Sequence, residues 1–328
     1  MKKIIRLLFI VAGLISSAKA QQDSQFTQYL FNGLHINPAY AGYKDDIYVQ
    51  SFYRSQWAGI KGSPKSFSIA ADGAFNDGNV GLGLIVNNDQ LGAQTYLTAY
   101  ANYAYRIRMG NDEASQLAFG IAAGMMQLGL DGNKLEGYKP GDGLIPLGSQ
   151  TNIVPDARFG VYYANKDFFA GFSATNLLAR YMLKDNTENR MVPVPQPHFY
   201  FTTGVLLPIN EDMKFKPVVL FKDDTKGPSS LDVNAFLLLK ETLWIGGFYR
   251  ATVDLYKKDY QQTGLSKQNA IGAIVEVFAS QNFRIGYSYD YSLNKLRDYN
   301  SGSHEISAGF YINRGNSSRD RKLRCYKF

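Results

Sequence analysis

From residue 283 the chain reads Phe283-Arg284-Ile285-Gly286-Tyr287-Ser288-Tyr289-Asp290-Tyr291-Ser292, with each odd position large and apolar or aromatic and each even one polar, charged or glycine. A period of two puts one row on each face of an extended strand. The same alternation sets Leu97, Ala99, Ala101, Tyr103, Tyr105 and Ile107 against Thr98, Asn102, Arg106 and Arg108, and Leu231, Val233, Ala235, Leu237 and Leu239 against Asp232, Asn234 and Lys240. It recurs where Met213, Phe215, Val219 and Phe221 oppose Lys214, Lys216 and Lys222, and where Ile306, Ala308, Phe310 and Ile312 oppose Glu305 and Ser307. The pattern predicts strands near 47–56, 65–75, 79–87, 93–109, 115–128, 154–165, 168–178, 198–209, 213–223, 231–240, 242–252, 268–280, 282–292 and 303–313. These make about fourteen, an even number, as in bacterial single-chain outer-membrane barrels.

The connections sort into two kinds. Those at 76–78, 110–114, 165–167, 210–212, 240–242 and 280–282 are short, whereas 57–64, 88–92, 129–153, 179–197, 224–230, 253–267 and 293–302 are mostly longer. Short and long alternate strand by strand, as short periplasmic turns and longer extracellular loops do. The expected fold class is therefore all-β: a transmembrane antiparallel β-barrel. Lipid cannot satisfy backbone polar groups, and a midplane Arg or Lys on the lipid face costs about 2–4 kcal/mol. The apolar row is thus assigned to lipid, and the row with Arg106, Arg108, Asp156, Arg158, Lys216, Asp232, Glu276, Arg284, Asp290 and Glu305 to the interior.

The first twenty residues differ. Lys2, Lys3 and Arg6 precede an apolar run from Leu7 to Ile15, and Ala18-Lys19-Ala20 supplies a small-x-small triplet before Gln21. This reads as a signal peptide over 1–20, too short to span a bilayer as a helix. Its four basic residues reduce the formal charge from +7 to +3, which removes the main argument for nucleic-acid binding. Cys325 is the only cysteine, so an internal disulfide and a Cys-rich metal site are excluded. The 23 Tyr and 21 Phe suit the aromatic girdles of a barrel. The expected organisation is a signal peptide (1–20), an N-terminal periplasmic or plug-like segment (21–45), a barrel (46–313) and a basic periplasmic tail (314–328).

Candidate chemistry is sparse. His35, His198 and His304 lack metal-ligand spacing, there is no Gly-x-Ser-x-Gly elbow, and Gly81-Leu82-Gly83 lacks the Lys-Ser/Thr of a phosphate loop. Asp77-Gly78-Asn79, Asp131-Gly132-Asn133 and Asp142-Gly143 read as turns rather than calcium loops. No catalytic, cofactor or metal residue is assigned, and the chain is not read as an enzyme.

Two blocks stand apart from the strand pattern: Gln25-Phe26-Thr27-Gln28-Tyr29-Leu30-Phe31-Asn32 with Ile36-Asn37-Pro38-Ala39-Tyr40-Ala41-Gly42, and Tyr53-Arg54-Ser55-Gln56-Trp57-Ala58-Gly59-Ile60-Lys61-Gly62-Ser63-Pro64. Together they resemble the amino-terminal signature of the PorP/SprF family. The residues carrying the likeness are Gln25, Phe26, Thr27, Gln28, Tyr29, Phe31, Asn32, Asn37, Pro38, Ala39, Tyr40, Gly42, Arg54, Gln56, Trp57 and Gly59. The resemblance implies an outer-membrane protein of Bacteroidota-type bacteria that works with the type IX secretion components, the translocon and periplasmic ring. It also implies a dedicated partner, an adhesin-like substrate whose C-terminal sorting domain needs this chain for export or surface anchoring, in some cases for gliding motility. A solute-conducting porin is the alternative reading of the polar interior.

From the residues themselves, segment 21–45 is either an ordered lead-in to the first strand or a plug or docking element. Trp57 reads as an interfacial anchor, because indole favours the headgroup zone. In the tail, Arg314, Arg319, Arg321, Lys322, Arg324 and Lys327 face only Asp320. It is either a solvated basic run or a periplasmic docking element anchored through Arg321, Arg324, Tyr326 and Phe328.

Overall fold

The computed structural model describes residues 25–44, 46–109, 115–135, 148–182, 195–256, 258 and 267–312. The expected signal peptide (1–20), the expected tail (314–328) and much of the three longest expected loops lie outside the described residues.

The strands are β1 (Ile47–Ser55), β2 (Lys65–Phe75), β3 (Val80–Leu91), β4 (Gln94–Arg108), β5 (Gln116–Asp131), β6 (Ser149–Ala164), β7 (Phe168–Thr175), β8 (His198–Val205), β9 (Leu207–Pro208), β10 (Met213–Asp224), β11 (Ser229–Leu239), β12 (Leu243–Val253), β13 (Gln268–Phe278), β14 (Phe283–Ser292) and β15 (Ser303–Ile312). The two-residue β9 continues β8 past Leu206, and both pair with β10, so the segments form fourteen staves. All neighbours are antiparallel. The last strand pairs with the first, Ile47 facing Ile312 and Arg54 facing Glu305, and β10 pairs with β11, which closes the sheet on itself. Closure leaves no edge whose N–H and C=O groups would face hydrocarbon.

The two faces separate as the alternation requires. Leu84, Ile121, Ile153, Ile306 and Tyr103 point outward and are exposed, while Asp72, Arg106, Asp156, Arg158, Lys216, Asp232, Glu276, Arg284, Asp290 and Glu305 point inward and are buried. Arg108 differs from the rest of its expected row: it stands exposed at the end of β4 and donates to the Asp77 carbonyl. The strand leaves the membrane there, so the guanidinium reaches a turn instead of the lumen.

Some connections are shorter than the pattern predicts. The expected link at 88–92 is part of a hairpin closed by Gly92 and Ala93, and the expected link at 224–230 shrinks to 225–228. Strands β5 and β6 likewise pair out to Asp131 and Ser149. Polar side chains such as Asn88 and Gln90 do not end a ladder, because the backbone groups still need partners once the hairpin stands clear of lipid. Some 9–11 residues suffice for a tilted strand to cross the bilayer, and β4, β5 and β6 exceed that. Strand β7 stops at Thr175, short of 178, because Asn176 takes a left-handed conformation (φ 56°) that turns the chain away. At the short-turn end, Asn76 and Asp77 have φ of 51° and 52° and Gly78 follows at 86°, which gives a tight β2–β3 hairpin.

Candidate functional site

The barrel is not hollow. Residues 25–44 run inside it as three short 3-10 turns, Tyr29–Phe31, Gly33–His35 and Pro38–Tyr40. Their apolar side chains join those of the wall in two clusters, Leu34 packing with Ile85 and Tyr100 in the smaller one. Tyr29, Leu30, Phe31, Tyr40 and Tyr43 pack with Tyr162, Phe169, Phe236, Trp244 and Phe248. Phe31 meets Phe236 edge-on at 5.7 Å, and Tyr40 meets Tyr162 at 5.4 Å. Each such side chain contributes about 1.5–3 kcal/mol through the water it excludes.

Polar ties fix the register of this plug. The Glu305 carboxylate accepts the backbone N–H groups of Thr27 and Gln28, each at 2.8 Å, and the Arg54 guanidinium lies 3.1 Å away. The Thr27 hydroxyl accepts from Arg54 and donates to Asp290, both at 2.9 Å. Arg54 also pairs with Asp290 at 2.6 Å, and Arg250 spans Asp290 at 3.5 Å and Asp232 at 2.7 Å. The Gln28 side chain donates to the Glu305 carbonyl at 3.2 Å and accepts from Ser307 at 2.7 Å. Three acids and two arginines from five strands thus converge, and the plug backbone completes their coordination. Thr27, Gln28 and Glu305 are at most 1% exposed, where charge-assisted bonds escape screening.

Further along, Asn234 donates to the Tyr29 hydroxyl at 2.8 Å, and Gln50 donates to the Asn32 side chain. The Phe31 carbonyl accepts from Lys44 at 2.9 Å and Arg284 at 3.1 Å. Lys44 Nζ lies 3.7 Å above the Tyr48 ring. Asn37 caps the turn Pro38–Tyr40 through Ala39 N–H at 2.9 Å and donates to the Val161 and Phe172 carbonyls at 3.0 and 3.3 Å. Pro38 opens this turn, where its missing N–H costs nothing. Gly42, at φ 66°, donates to Asp72 at 2.7 Å. The wall makes room: a Cβ on Gly120 would fall 2.1 Å from Ala39 N, and one on Gly160 2.0 Å from Asn37 Oδ1. Gln25 and Phe26 are half-buried, with the Phe26 ring 4.5 Å from that of His35.

The structure therefore gathers the amino-terminal block and Arg54 into one assembly. Gln56, Trp57 and Gly59 lie apart, on the β1–β2 connection. There Gln56 N–H bonds to Pro64 O at 2.9 Å, Trp57 N–H to the Ser303 hydroxyl at 3.1 Å, and Gly59 adopts φ 98°. Arg321, Arg324, Tyr326 and Phe328 lie outside the described residues.

The plug has a direction. Thr27 and Gln28 meet Arg54, Asp290 and Glu305, which stand near the strand ends that lead into the long connections, whereas Gly42 and Lys44 meet Asp72 and Tyr48, near the short-turn end. Short turns are periplasmic. The chain thus passes down the lumen from the extracellular mouth and turns into β1 at the periplasmic one. Asp290 and Glu305 belong to the alternating pattern, but their role as anchors of Thr27 and Gln28 is not legible in it. The available signal is the facing of Arg54 and Glu305 once β1 is closed onto β15.

A wall of alternating strands around a signature-bearing plug is matched by one family model, described as Type IX secretion system membrane protein PorP/SprF, over residues 18–310. The chain belongs to this family. Its role is accordingly that of an outer-membrane barrel of type IX secretion. No curated protein matches the chain. Solved barrels similar to it include the outer membrane protein Omp33 of Acinetobacter baumannii, at 10% identity and TM-score 0.44 over 81% of this chain and 98% of that one. A Pseudomonas aeruginosa FadL homologue is 9% identical, with TM-score 0.45 over 84% of this chain and 93% of that one. A mutant Rh. blastica porin is 7% identical, with TM-score 0.35 over 81% and 99%. Likeness at this level carries nothing about function.

Proposed function

We propose that this protein is a non-enzymatic accessory that type IX secretion uses to export or anchor one class of secreted substrate, an adhesin-like protein recognised through its C-terminal sorting domain. The observation that carries the reading is the plug tied to Arg54, Asp290 and Glu305 inside a closed wall. A barrel filled by its own chain serves as a rigid platform in outer-membrane lipid more readily than as a conduit. The extracellular connections within 129–153, 179–197 and 253–267 are the proposed contact surface, and the tail, through Arg321, Arg324, Tyr326 and Phe328, the proposed link to the translocon and periplasmic ring. A leader over 1–20 delivers the chain to the periplasm. Gliding motility follows where the partner is a motility adhesin.

Affinity purification of the full chain from its native host should recover a secreted protein with a C-terminal sorting domain, together with secretion components. The porin reading rests on the polar lumen alone. Large, steady conductance of the purified protein in planar bilayers would favour it over the platform.

A further inference from the structure

Three neighbouring strands are only just long enough to cross the bilayer. β15, β1 and β2 have ten, nine and eleven residues, against the roughly 9–11 that a tilted strand needs. Their ends on the side of the long connections carry His304, Ser55 and Lys65, which therefore stand at the outer boundary of the hydrocarbon.

Strand pairing sets these three side by side. Ser55 faces His304 on one flank and Lys65 on the other. All three belong to the outward row, since the alternate residues Arg54, Ser66 and Glu305 are buried. One step toward the membrane centre, the same row carries Ile306, Tyr53 and Phe67, in register and exposed. A polar trio thus lies above an apolar, aromatic one, the order in which a lipid presents headgroup and acyl chain. His304 is held in place, its Nδ1 2.7 Å from the Tyr287 hydroxyl and its ring 5.2 Å from that of Tyr289. With the hydroxyl donating to Nδ1, the imidazole proton sits on Nε2, which is then a donor. Adjacent strands lie about 4.7–4.9 Å apart, so the backbones at Lys65 and His304 are separated by roughly 10 Å. An ammonium on a flexible stem, a hydroxyl and an imidazole N–H spaced this way can share one phosphate above Ser55.

The connections beyond these strand ends add positive charge. Ala58 exchanges 2.8 Å backbone bonds with Gly302 and Ser301, which ties the β1–β2 connection to the β14–β15 one. Together with the strand ends they expose Lys61, Lys65, Lys295 and Arg297 against Asp298 alone. Arg297 pairs with Asp298 at 3.4 Å, and none of the three lysines pairs with a carboxylate among the described residues. Asp89 on the neighbouring β3 belongs to the inward row, opposite the buried Ser66.

We propose that this face binds a phosphorylated acyl lipid of the outer leaflet, with Lys65 and His304 holding the phosphate and the acyl chains lying along Tyr53, Phe67 and Ile306. Such binding is independent of which substrate the barrel serves.

Delipidated full-length barrel in neutral detergent is titrated with monophosphoryl lipid A, with the same lipid lacking its phosphate and with inorganic phosphate, and bound lipid is counted by native mass spectrometry. One saturable site for the phosphorylated lipid is expected, at least tenfold tighter than for the phosphate-free form. Lys65→Met combined with His304→Gln should weaken it at least tenfold, and Lys65→Arg should retain it. Lys166→Met, in the exposed β6–β7 turn at the periplasmic end, should bind as the parent does. Heat-modifiable migration on gels confirms that each variant is folded. The site is overturned if the lipid adds without saturation, if the phosphate-free lipid binds equally well, or if the double variant binds as the parent does. An equal loss in Lys166→Met would overturn it too, by reducing the effect to overall charge. Displacement of the lipid by equimolar inorganic phosphate would overturn the acyl contacts.

Discussion

Replacing Glu305 with alanine should release the plug without opening the wall. The side chain is fully buried, and it accepts two plug N–H groups at 2.8 Å as well as facing Arg54 at 3.1 Å. Truncation leaves the Thr27 and Gln28 N–H groups without that acceptor, each at a cost of about 1–3 kcal/mol. Arg54 keeps Asp290 at 2.6 Å, which limits the penalty of an uncompensated buried charge. The losses share partners and do not simply add, so a total of about 3–5 kcal/mol is the reasonable magnitude. Nearly all of it falls on the plug, because β1 and β15 pair through their backbones. Glu305→Gln keeps the shape and one accepting oxygen and should lose about half as much. The assay is protease cleavage within 25–44 on folded protein in detergent, read together with single-channel conductance. Glu305→Ala should be cut and should show open-channel steps while still migrating as a heat-modifiable barrel. A variant as protease-resistant and as silent as the parent would refute the view that this network holds the plug.

Other consequences follow from the same geometry. Gly120→Ala places a Cβ against the Ala39 backbone and should destabilise the plug by about 1–3 kcal/mol, seen as faster cleavage of the same segment; unchanged cleavage would mean that the close approach is not needed. Tyr29→Phe removes only the hydroxyl that Asn234 bonds at 2.8 Å and should lower stability by about 1 kcal/mol, with no change in membrane insertion. The orientation of the barrel predicts that Tyr299→Cys on the exposed β14–β15 connection, in a Cys325→Ser background, reacts with a membrane-impermeant maleimide added to intact cells, whereas Glu211→Cys in the β9–β10 turn reacts only after the outer membrane is permeabilised. The reverse pattern would invert the barrel. Deleting 315–328 should leave barrel insertion intact but reduce surface display of the partner; display at the parental level would end the tail-docking proposal.

The barrel was legible because its physics is periodic. Lipid demands an apolar row, and Tyr287, Tyr289 and Tyr291 alternating with Ser288 and Asp290 declare it within a few residues. Boundaries were harder, since the ladder outlasts the lipid: Asn88 to Leu91 and Ser149 to Ile153 stay paired in water, where polar residues resemble loop. The plug's residues stood out as a block, but their arrangement did not. Thr27, Gln28, Asn32 and Asn37 find partners on strands scattered from residue 50 to residue 307, and no local pattern encodes such long-range pairings. Gly120 and Gly160 look like ordinary strand glycines until the plug backbone is seen against them.

A plugged outer-membrane barrel that serves a dedicated secretion substrate should be indispensable to that substrate and to few others. Deleting this chain in its native host and quantifying cell-surface and medium proteins that carry C-terminal sorting domains tests this dependence most directly. One or a few adhesin-like proteins should disappear from the surface while the rest of the secreted set is unchanged, and reintroducing the chain should restore them. An unaltered surface proteome, with lost uptake of a small solute instead, would contradict the claim and make the protein a transport barrel.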